Sequence, residues 1–116
     1  MILRFIFFFC AFLLLLHINN VGDIMFTEQD AMMIAKKLGV EFHQFSLQDF
    51  LTGLNIELEH GIVDPKTNVT NDNLEMTAKI ALAHLNEYPD YYNSVYGLPA
   101  FERMLKANQE YRSIYF

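Results

Sequence analysis

Beyond residue 24 the apolar positions of this chain fall three and four apart; before it they run together. Phe5 to Leu16 reads FIFFFCAFLLLL, twelve apolar residues without a break. From Met25 onward the spacing is that of one-sided helices. Thr27 is suited to cap a first helix, with Asp30 three residues on as its reciprocal partner, and Gly39 to stop it. Ser46 opens a second helix, with Phe45 and Phe50 placed to clamp its entry. Leu47, Phe50, Leu51, Leu54 and Leu58 share one face of it, Glu59 points away, and Gly53, Glu57 and His60 line one shoulder. Gly61 ends it, and residues 62–72 form a polar loop. Asp72 with Glu75 reads as the cap of a third helix, whose stripe is Leu74, Thr77, Ile80, Ala81, His84, Leu85 and Tyr88. Pro89 disfavours continuation through Tyr88 and suits a new first turn, so Asp90 to Gly97 reads as a short fourth helix. Pro99, at the first position of a last helix, leads a stripe of Phe101, Met104, Leu105 and Tyr111.

No strand alternation and no internal repeat interrupts this pattern. The expectation is an all-α fold: a small bundle of four to five short helices in a single domain over residues 25–116, preceded by an N-terminal hydrophobic helix.

The leader itself has three readings. Twelve apolar residues match the core of a signal sequence and fall short of the ~20 that a spanning helix needs. His17 to Ile24 extends the run to a marginal span, and Arg4 supplies a short positive flank. Asn20-Val21-Gly22 is a poor cleavage site, which favours an uncleaved, single-pass anchor over a cleaved signal peptide and a secreted product. Residues 1–24 then place residues 2–21 in a membrane, with the N-terminus cytoplasmic. In the third reading translation starts at Met25 and the product is cytoplasmic.

Charge narrows the partners. The net charge is −6, and residues 41–90 carry nine acids against two bases, Lys66 and Lys79. That surface repels a polyanion, so nucleic acid is not an expected partner. The single Cys10 lies in the leader, which excludes an intramolecular disulfide and argues against a thiolate site.

The candidate chemistry is Glu57-x-x-His60 on the second helix and His84-x-x-Glu87 on the third. At this spacing each pair projects to one side, and antiparallel packing would bring the pairs together. The plainer reading is a buried acid–imidazole network that ties the helices together in a non-catalytic structural or interaction module. The sharper one is a mononuclear site for one divalent transition metal ion, Zn, Fe or Mn, held by Glu57, His60, His84 and Glu87. A di-iron bundle needs further Glu residues that are missing. Asp64, Asn68, Thr70, Asp72 and Glu75 match calcium-loop positions, but Lys66 among the ligands and Val69 at the glycine position argue against calcium. An ordered, side-chain-capped loop explains them as well. Asn68-Val69-Thr70 is a glycosylation sequon, relevant only in a secretory lumen. Tyr88, Tyr91, Tyr92 and Tyr96 form either a groove or, as such stripes more often do, packing. No nucleophile–base arrangement or phosphate loop is present, so nothing in the sequence argues for catalysis.

ELEHG at Glu57–Gly61, TNVTND at Thr67–Asp72 and TAKIALAHLNEYPDYY at Thr77–Tyr92 together resemble a family of small uncharacterised helical proteins, a domain of unknown function. The resemblance covers residues 25–96, including the FTEQDAMMIAKKLGVEF opening. It implies a compact helical domain and supplies no activity, substrate or catalytic residue. Family members usually begin near the position of Met25 and lack a hydrophobic leader, and the chain beyond Gly97 lies outside the resemblance.

Overall fold

The computed structural model describes residues 25–116. The leader readings fall on residues 1–24, outside the described residues. The described part contains four α-helices and no strand: α1 (Glu28–Leu38), α2 (Leu47–Glu57), α3 (Leu74–Glu87) and α4 (Leu98–Tyr115), with a 3₁₀ turn at Leu58–His60. None of these helices is long and apolar enough to cross a membrane.

Local chemistry fixes the first two helices. Thr27 and Asp30 cap each other reciprocally at the start of α1, and Gly39 closes it in the left-handed conformation at φ 68°. Ser46 and Asp49 repeat the same reciprocal cap on α2. α2 packs against both α1 and α3, most extensively against α3. Ala31, Ile34, Ala35, Phe50, Leu54, Ala78, Ala81 and Leu85 form most of the shared core. Lys37 on α1 reaches Glu75 on α3 at 2.6 Å, and this exposed pair lies across the top of that seam.

Three expectations need correction. Asn73, rather than Asp72, caps α3; its side chain accepts from the Met76 amide at 2.9 Å. A capping residue is extended, whereas Asp72 is left-handed at φ 56° and turns its carboxylate to the Ile62 amide. Glu75 is consequently free of the cap and pairs with Lys37 and Lys79. Asp90–Gly97 is a run of turns, not a helix. Asn93 Oδ1 accepts from the amides of Val95 and Tyr96 at 2.8 and 3.0 Å, a local closure that competes with helical bonding. Last, α4 starts one residue earlier than expected, with Leu98 first and Pro99 second, and none of its residues is buried. Phe101, Met104, Leu105 and Tyr111 are all exposed.

The 62–72 loop is bonded to itself and to the end of α2. The amides of Val69 and Thr70 both donate to the His60 carbonyl, at 2.7 and 3.1 Å. Asp64 accepts from the Lys66 amide and Asn68 from the Asn71 amide. Of the side chains counted as calcium-loop positions, Asp64, Asn68, Thr70 and Asp72 are thus turned to backbone, as in a capped loop, and Glu75 is paired with lysines. Asn68 itself is exposed.

Candidate functional site

The site forms where α2 runs out. Its last turn tightens into the 3₁₀ turn Leu58–His60, and in that geometry residues three apart eclipse each other. His60 therefore stands over Glu57, with Nε2 3.5 Å from Oε2. His60 Nε2 also lies 3.2 Å from Glu59 Oε1. From α3, His84 Nε2 comes within 3.6 Å of Glu57 Oε1. From the turns beyond Pro89, the Tyr92 hydroxyl donates to that same Oε1 at 2.5 Å.

Burial is graded across the cluster. The Glu57 side chain is only 3% exposed, against 45% for His60 and 36% for His84. The carboxylate is thus sealed on its protein side, while both imidazoles keep an edge in solvent. His84 stacks flat on Tyr91, with ring centres 4.2 Å apart and planes 5° from parallel. Tyr91 meets Tyr92 edge to face at 5.0 Å. Tyr92 reaches the carboxylate because Gly53 leaves room for its ring; a Cβ there would lie 2.5 Å from Tyr92 Cε2.

Of the four residues marked out in the sequence, the fold gathers Glu57, His60 and His84. Glu87 stays apart, exposed at the end of α3. The reason is the rotation of α3. Its buried face is Thr77, Ala78, Ala81 and Leu85, the first three small enough to let α2 come close, and this puts His84 at the rim instead of mid-stripe and turns Glu87 outward. Glu59, Tyr91 and Tyr92 join the site without having been expected there. Gly53, a glycine inside a helix, was the one sequence signal for a close approach by a bulky partner.

Chemically this is a carboxylate hydrogen-bonded by a phenol, with two imidazoles alongside it. Ligand atoms of Glu57, Glu59 and His60 all lie within 4.8 Å of one another, a spacing compatible with a metal ion. Equally, among the described residues no buried side-chain nitrogen or oxygen lacks a hydrogen-bond partner. Burial pushes the Tyr92 phenol far above its ordinary pKa, and the Glu57 carboxylate beside it pushes the same way. Burial also raises Tyr91, assisted by the charges of Glu57, Glu59, Glu102 and Glu87.

That shift sets an alkaline limit. Above pH ~10 an unfolded chain releases the Tyr92 proton and the folded one keeps it, so stability falls as pH rises. The expected slope from this residue steepens from about −0.7 kcal/mol per pH unit at pH 10 to about −1.3 at pH 11.5. Urea unfolding of wild type and Tyr92→Phe over that interval measures it; equal slopes would show that the hydroxyl is not the group responsible.

The family model described as "Protein of unknown function (DUF5661)" matches residues 31–98. The match takes in most of α1, all of α2 and α3, the Glu57 cluster and the turns that carry Tyr92. No curated protein and no solved structure matches the chain.

Proposed function

The chain belongs to the DUF5661 family, and on that premise we propose that it is a non-catalytic structural or interaction module organised by a buried acid–phenol–imidazole network. One observation carries this reading: groups from three separate segments converge on the single buried carboxylate of Glu57. His60 comes from the end of α2, His84 from α3 and Tyr92 from the turns before α4. A carboxylate removed from water is costly unless it is hydrogen-bonded; the Tyr92 hydroxyl supplies that bond, the two imidazoles stand close by, and together they gather three pieces of chain around one group. In this reading the leader, supported by Arg4 and the apolar run behind it, tethers the module to a membrane. Fractionation of cells expressing the full gene tests the tether, and a soluble product starting at Met25 would exclude it.

A second reading has its own observation, the 4.8 Å grouping of Glu57, Glu59 and His60. His84, 3.6 Å from Glu57 Oε1, would complete a mixed nitrogen and oxygen donor set for Zn, Fe or Mn. Elemental analysis of the full-length, untagged chain separates the two. The network reading expects substoichiometric metal and a melting temperature that a chelator leaves unchanged. Near-stoichiometric Zn, Fe or Mn, lost in Glu57→Gln, would replace it with the metal-binding reading.

A further inference from the structure

The turns between α3 and α4 enclose an open cleft of about 490 Å³. Tyr88, Tyr91, Tyr96 and Phe101 supply its aromatic lining, and Asp90 supplies a carboxylate. Three of these rings do little for the core: Tyr88 is 59% exposed, Tyr96 83% and Phe101 52%. Tyr92, the fourth tyrosine of this stretch, turns inward to Glu57, so the tyrosine run divides into one core residue and three cleft residues.

Of the residues that line the cleft, Asp90 alone is charged, and its charge is negative. Aromatic faces carry negative potential and attract cations. Asp90 adds a formal charge; the Tyr91 phenol is raised first by burial, and the carboxylates of Glu57, Glu59, Glu102 and Glu87 push the same way. The Arg103 guanidinium keeps its positive charge but is bonded to the Ser94 carbonyl and does not line the cleft. An anionic ligand is disfavoured in such a place. A purely apolar ligand would leave the field unused. A small, strongly hydrated ammonium would lose more hydration than ring faces return. A methylated ammonium keeps the charge and offers apolar surface to the rings.

The geometry points to a binding site for a methylated ammonium group, with Tyr88, Tyr91, Tyr96 and Phe101 as its walls and Asp90 as counter-charge. The site goes beyond the network reading: it shares Tyr91 with the Glu57 cluster, but its counter-charge is Asp90 and its exposed walls are Tyr88, Tyr96 and Phe101, so Tyr96→Ala and Asp90→Asn test it without touching the network.

The test is a calorimetric and NMR titration of the full-length chain with choline, and with 3,3-dimethyl-1-butanol, its uncharged isostere. Choline is expected to bind saturably and to shift the Tyr88, Tyr91 and Tyr96 resonances, with the isostere at least about tenfold weaker. Tyr96→Ala is expected to weaken choline about tenfold, and Asp90→Asn several-fold. Both side chains are exposed, so unchanged melting curves serve as the folding control. A peptide bearing trimethyl-lysine gives a second source of the same group: tighter binding than choline assigns a protein ligand, and equal or weaker binding assigns a free small cation. The inference is overturned if choline fails to bind, if the isostere binds as well, or if Tyr96→Ala leaves choline affinity unchanged.

Discussion

Tyr92→Ala is expected to lower the unfolding free energy by ~3–5 kcal/mol, the range for removing a buried aromatic ring. Two losses coincide at this position. The ring is 3% exposed and fills the space left by Gly53, so its removal opens a cavity between α2 and the turns. Its hydroxyl is also a partner of a buried carboxylate, and Glu57 cannot recover that bond from water without rearrangement. Tyr92→Phe isolates the second loss, at about 1–3 kcal/mol. For a domain of this size the alanine change removes a large share of a total near 5–15 kcal/mol. Urea unfolding followed by tyrosine near-ultraviolet dichroism, in a chain without tryptophan, gives both numbers. A loss under ~1 kcal/mol for Tyr92→Ala would mean that the C-terminal turns are not fastened to the bundle in this way.

Gly97→Ala is expected to cost about 2–3 kcal/mol, through overpacking against backbone. An added Cβ would lie 2.2 Å from the Tyr91 carbonyl oxygen, 2.5 Å from that of Asp90 and 2.7 Å from the Asn93 nitrogen. No side chain can rotate aside there; the turn itself has to open. Opening it breaks the bond from the Leu98 amide to the Tyr91 carbonyl, at 2.7 Å, and with it the approach of α4. The expected signature is loss of protection at the Leu98 amide with the core of α1, α2 and α3 retained. Protection equal to wild type would show that the turn is looser than the structure draws it.

The features legible in the sequence were those set by near neighbours. Thr27 with Asp30 and Gly39 delimit α1 by contacts three or four residues apart, and the structure keeps them. Ser46-x-x-Asp49 is the same pattern, equally local, at the start of α2. Asp72 and Asn73 are both competent caps, and the choice between them is made ten residues away, where the Ile62 amide takes the Asp72 carboxylate. Asn93 decides the fate of residues 90–97 in a similar way, by a side-chain closure that hydrophobic spacing does not register. The convergence of Glu57, His60 and His84 followed from helix phase plus the assumption that α2 and α3 are neighbours. The exclusion of Glu87 did not, because it depends on how far α3 rolls to seat Thr77, Ala78 and Ala81 against α2. Tyr92 lay in a tyrosine run whose members look alike as letters and separate only when one of them finds the space at Gly53.

α4 has a thermodynamic consequence of its own. A helix with no interior residue draws its order from its own backbone bonding and sequence, because packing supplies most helical stability in proteins and here supplies little. Its helix–coil balance is therefore largely uncoupled from the cooperative melting of the bundle. The described residues are therefore expected not to melt as a single two-state unit: on heating, the C-terminal arm unwinds gradually while the remainder is still folded, and one midpoint temperature does not describe both.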